Sequence, residues 1–269
     1  MKYEPVAQLK KTCGDLLKSW RFCLLVILFD LIFLTVFGFV YSLYFDKIML
    51  HMTNIMQAMP SATEAIQSAM PTVSSLAPVF GVNASLSAIY RLAFFLAVSV
   101  FLLWIIIQSS NWRFAHRIAE SKTKFLEYFR GFSIASIIWF LIFCAIVYFS
   151  VTMTFYQALN RETEGAWSVY GALLAFAVLG YFALVSYSVT GKTRDVLRKT
   201  VTNCFLKSKV LVAYIFVLLI LAVINFIILG LWYLSQAVAI AIGAILVLLY
   251  FVYARVYMIE VIKKLEKKK

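Results

Sequence analysis

Charge is scarce in this chain, and acidic charge is scarcest. Only 14% of the 269 residues are charged, with 12 Asp or Glu against 25 Lys or Arg. A water-soluble domain is about a quarter charged and about half apolar, whereas 64% of this chain is hydrophobic. Histidine is almost absent: His51 and His116 are the two in the sequence, so an HExxH zinc helix cannot be written. There is no GxSxG nucleophile elbow and no phosphate-binding glycine loop. The four cysteines, Cys13, Cys23, Cys144 and Cys204, form no CxxC motif, so neither a disulfide framework nor a thiolate metal site is expected. The 10 glycines include no selectivity-filter signature. These absences leave no catalytic constellation to assemble, and neither an enzyme nor a cofactor is expected.

What fills the sequence is apolar residues in long blocks. A membrane-spanning helix takes about 20 of them. Six blocks qualify, at 22–45, 89–110, 132–157, 167–189, 210–232 and 236–257. The expectation is a single all-α membrane domain of six transmembrane helices. The first block follows some twenty polar and basic residues (1–21) and ends without a small-residue cleavage site. It reads as a retained helix and not as a signal peptide.

The basic residues orient the bundle. All but Lys47, Arg91 and Arg161 fall in alternate connections: the N-terminal arm, the segment 113–130, the segment 192–209, and the end of the last helix with the tail 258–269. By the positive-inside rule both termini are cytoplasmic, and the expected site is the plasma membrane. The net charge of +13 then faces anionic headgroups and not nucleic acid. Lys18, Arg21, Arg113, Arg117, Arg130, Lys207 and Lys209 are the expected headgroup contacts.

Three basic segments preceding the odd-numbered blocks resemble one another. They are Leu16-Leu17-Lys18-Ser19-Trp20-Arg21, Phe125-Leu126-Glu127-Tyr128-Phe129-Arg130 and Phe205-Leu206-Lys207-Ser208-Lys209. The expectation is three helical hairpins, each preceded by an amphipathic elbow helix lying in the cytoplasmic headgroup layer. This pattern, with stretches such as Ile137-Ile138-Trp139-Phe140-Leu141, resembles the membrane domain attached to some prokaryotic glycerophosphodiester phosphodiesterases, and its stand-alone relatives. The resemblance implies a six-helix core. No hydrolase domain is present in the sequence, so no phosphodiesterase activity follows from it.

The connection 46–88 is far longer than the other outer links and is expected to be a partly helical cap. Met49, Met52, Met56 and Met59 are spaced 3, 4 and 3 residues, which aligns them on one helical face. Thioethers bind Cu(I) and His51 lies beside them. The simpler reading is an adaptable apolar surface. A second amphipathic helix is predicted between Pro60 and Pro71. Asn83-Ala84-Ser85 matches a glycosylation sequon.

Within the blocks, Asp30 is the one deeply placed acid, about 13 Å beyond Arg21 at 1.5 Å per residue. An acid there costs about 2.5–3.5 kcal/mol to insert. It is expected either to relay protons or contact a solute, or to be a neutral acid hydrogen-bonded to a tyrosine, a serine or Asn225. Arg255 is expected nearer the cytoplasmic end of the last helix, within reach only if helices tilt. Gly171, Ala175, Gly180, Ser235, Ala239 and Gly243 mark close helix packing. Two functions remain: a non-catalytic membrane component that organises lipid or holds a protein partner or a second copy, and a transporter of a small solute, ion or lipid through Asp30. Copper handling by the methionines is a distant third.

Overall fold

A computed structural model describes residues 5–67, 77–119, 124–159, 166–189 and 193–266. Among the described residues there is no strand. The helices are α1 (Pro5–Lys18), α2 (Trp20–Gln67), α3 (Ala77–Leu103), a π-helical segment (Trp104–Gln108), α4 (Ser109–Ile118), α5 (Phe125–Leu159), α6 (Ala166–Ser188), α7 (Thr193–Leu206), α8 (Ser208–Leu234) and α9 (Gln236–Glu266). Six stretches of helix are long and apolar enough to cross a membrane, one for each block read from the sequence. The protein is a multi-pass membrane protein.

The helices run well past the apolar blocks. α2 continues for 48 residues with Pro60 inside it, so the first part of the connection 46–88 is helical and continuous with the first membrane helix. Proline removes one helical donor and clashes with the preceding turn, yet the helix persists through it to Gln67. The helix predicted between Pro60 and Pro71 is therefore the end of α2 as far as Gln67, and its remainder, with Pro71, lies outside the described residues. From Ala77 the chain is helical again, which takes Asn83 into α3.

Two short helices precede long ones across a one-residue break. α1 leads through Ser19 into α2, and α7 leads through Lys207 into α8. Phe125–Arg130 does not form a third elbow; it is the first turns of α5 itself.

The chain divides into two compact units, one comprising residues 1–30 and 107–269 and the other 31–106. The first is built around α9. Its residues from Val252 to Ile262 are buried without interruption, so this half of the helix is enclosed on every side. Tyr181, Val185, Val210, Ala213, Val217, Tyr257, Met258 and Val261 form the core there, with Leu9 and Leu16 of α1 packed onto it. Near the start of α9 the packing is set by small residues. Ala239 is buried, and a Cβ added at Gly243 would meet Ile228 of α8 at 3.2 Å. Without a driving force from water, such close backbone approach is how membrane helices gain contact.

The second unit carries aromatic side chains at four-residue intervals along α2. Phe33 and Phe37 are 6.0 Å apart, Phe37 and Tyr41 6.0 Å, and Tyr41 and Phe45 5.1 Å between ring centroids. Trp104 meets Phe33 edge-on at 5.7 Å. Four-residue spacing stacks side chains on one face of a helix, which accounts for the ladder.

Candidate functional site

Asp30 is 3% exposed and engaged on both carboxylate oxygens. Arg255 of α9 donates from Nη1 to Asp30 Oδ2 at 2.6 Å and from Nη2 to Oδ1 at 2.9 Å. Gln108 Nε2 donates to Oδ1 at 3.1 Å and Asn111 Nδ2 at 2.7 Å. Arg255 Nη2 also reaches Gln108 Oε1 at 3.1 Å. The guanidinium lies near the Trp112 and Phe251 rings, 5.8 and 6.0 Å from their centroids. All four polar residues are buried.

Element lengths explain why these side chains meet. Asp30 lies ten residues past Trp20 at the start of α2, and Arg255 lies eleven residues before the end of α9. At 1.5 Å per residue both are about 15 Å from the helix end they share. The last apolar block ends at 257, which places Arg255 at its edge, but the helix continues to Glu266, and Arg255 stands at the depth of Asp30. The expected neutral acid bonded to tyrosine, serine or Asn225 is replaced by a bidentate ion pair, because a guanidinium fork matches a carboxylate. Asn225 is elsewhere, exposed on α8.

Gln108 and Asn111 were missed by sequence reasoning. They are three residues apart, hence on one helical face. The π-helical segment ends at Gln108, and such an extra-residue turn changes where following side chains point. The signal was available as two amides at the polar end of an apolar block.

Two further polar clusters occur in the same unit. Tyr187 O accepts from Tyr128 Oη at 2.9 Å and meets His116 Nε2 at 3.1 Å. A carbonyl only accepts, so Nε2 carries the proton, and the buried Nδ1 has no hydrogen-bond partner among the described residues. His116 is thus fully buried. The other cluster fastens α1 to α9. Glu260 Oε2 accepts from Gln8 Nε2 at 2.6 Å and Thr12 Oγ1 at 2.8 Å, and Lys11 Nζ stands 3.9 Å away.

The remaining sites named from the sequence divide by exposure. Lys18, Arg21, Arg117, Arg130 and Lys209 are exposed, and Arg113 and Lys207 are half-buried. Arg113 lies over the Phe125 ring at 4.7 Å. A Cβ added at Gly180 would meet Tyr214 Oη at 3.2 Å, whereas one added at Gly171 would meet nothing within 4 Å among the described residues; Ala175 is half-buried. Ser235 sits in the break between α8 and α9, where its carbonyl accepts from Ala239 N at 2.9 Å. Met49, Met52 and Met56 are exposed along α2; the Met59 side chain lies outside the described ones. His51 is on the adjacent, half-buried face. Among the described residues no group of three His, Cys, Asp or Glu could hold a metal ion. In α7, burial pushes the Cys204 thiol up to about 12, against a smaller opposing effect of Tyr181.

The chain matches no family model, no curated protein and no solved structure.

Proposed function

We propose that this is a non-catalytic membrane component that organises lipid or holds a protein partner, and that Asp30–Arg255 is its internal clamp. The observation that carries this reading is the saturation of Asp30. Both carboxylate oxygens are spent on protein donors, one of them on three. A transport carboxylate must exchange its partners; this one is held by two helices besides its own. The saturated pair acts as interhelical glue joining α2, α4 and α9, with Gln108 at the π–α4 junction. Both termini face the cytoplasm of a cell with this protein in its plasma membrane, on the strength of the basic connections. The exposed lysines and arginines contact headgroups on that side.

One observation favours transport as the second reading. Asn111 Oδ1 is buried with no hydrogen-bond partner among the described residues, and a solute donor could satisfy it.

The test is native mass spectrometry of the protein in nanodiscs drawn from its own cells, beside cell-level assay of Asp30→Asn. The organising role predicts retained protein or lipid at fixed stoichiometry. It is overturned by a bound small solute without partner, joined to an Asp30→Asn variant that assembles normally but is inactive.

A further inference from the structure

α2 carries two adjacent stripes with coiled-coil spacing. Tyr44, Ile48, His51, Ile55 and Ala58 are half-buried, and the His51 ring nitrogen Nδ1 is buried. This face is already shielded within the chain. Phe45, Met49, Met52 and Met56 recur at intervals of 4, 3 and 4 and are 40, 44, 42 and 70% exposed. Alternating steps of 4 and 3 average 3.5 residues, the period that keeps one seam facing a partner helix. In the sequence Met59 continues the pattern.

The placement of the stripe sharpens the problem. From Arg21 to Lys47 is 26 residues, about 39 Å of helix, which matches a bilayer with its headgroups at about 40–45 Å. Residues after Lys47 therefore stand beyond the lipid on the side away from the termini, where an exposed methionine stripe would meet water.

We propose that a second copy of this chain covers it: two α2 helices pair in parallel along Phe45, Met49, Met52 and Met56. Copies in one membrane share orientation and height, so identical stripes meet in register with no search for alignment. Charge permits it as well. Between Lys47 and Glu64 the sequence has no Asp, Glu, Lys or Arg, so self-pairing sets no like charges opposite each other. Methionine, unbranched and polarizable, fills such a seam adaptably. This pairing goes beyond the reading above and holds whether or not the bundle transports.

The test compares Met52→Cys with Asn54→Cys in the full-length protein in native membranes under mild oxidation. Met52 is on the seam and Asn54 faces away, and the native cysteines are common to both. Met52→Cys is expected to form a symmetric disulfide dimer at least tenfold faster than Asn54→Cys. Adding Met49→Glu and Met56→Glu should abolish the link and halve the mass by light scattering. Equal linking at 52 and 54, linking of Met52→Cys to a different protein, or a single-chain wild type without a cross-link would each overturn the proposal.

Discussion

At the scale of single residues, Asp30 and Arg255 are both buried and hold each other through two hydrogen bonds. Asp30 stands out because an acid amid Ile27, Leu28, Phe29, Leu31 and Ile32 is costly, and it lies where the buried network forms. Its partner was hidden by helix length. A few residues at the end of α9 decide whether Arg255 sits at an interface or at mid-depth, and hydropathy fixes helix ends poorly. Removing one partner of a buried pair leaves an uncompensated charge, at a cost of about 3–5 kcal/mol. Arg255→Leu is therefore expected to lower the unfolding midpoint in detergent sharply, as read by circular dichroism. Cysteine reactivity makes a second prediction at this scale. Cys204 is buried and its thiol is raised to about 12. An acid with a raised pKa stays neutral below it, so Cys204 remains an unreactive thiol at pH 8 and loses that protection only near pH 12. Cys13 is exposed. Maleimide at pH 8 should label Cys13 in the folded protein and Cys204 only after unfolding, with peptide mass spectrometry as the readout.

At the scale of elements, packing was partly written in small residues. Gly243 leaves room for Ile228 of α8, Ala239 is buried near the start of α9, and a Cβ at Gly180 would meet Tyr214 Oη. Gly171 fits the same sequence pattern, but a Cβ added there would meet nothing within 4 Å among the described residues, because a small-residue motif names a face and not its neighbour. Gly243→Leu should destabilise by about 1–3 kcal/mol through overpacking. Gly171→Leu should be neutral or slightly stabilising, since leucine favours helix over glycine by about 1 kcal/mol. Thermal unfolding of the two variants side by side checks the contrast. The elbows show the same limit. α1 and α7 are short helices before long ones, but Phe125–Arg130 is continuous with α5, since nothing in that segment stops a helix. The hold of α1 on α9 centres on Glu260. Glu260→Ala strips Gln8 of its acceptor and leaves the Thr12 hydroxyl only the Gln8 carbonyl, and it should raise amide exchange across residues 5–18 by tenfold or more, leaving α8 and α9 protected. Unchanged exchange in α1 would show that Leu9 and Leu16 alone hold the helix.

At the scale of the whole molecule, the class was legible because the membrane imposes it. Backbone groups in lipid must be satisfied internally, so six apolar blocks of this length become six helices. Extent was not legible: α2 and α3 run past their apolar blocks, and polar helix beyond the bilayer carries no hydropathy signal. Nor was the interior polarity of residues 252–262, where burial is unbroken but Arg255 and Glu260 each find partners on other helices. We propose that this interior is a clamp that ties α2, α4 and α9 together, and not a transport route. The most direct test is a double-mutant cycle of Asp30→Leu, Arg255→Leu and the pair, unfolded in nanodiscs. The clamp predicts that each single variant is strongly destabilised and that the double variant is closer to wild type than either, since an apolar replacement of both partners removes the stranded charge. Single variants as stable as wild type, with additive effects in the pair, would contradict it.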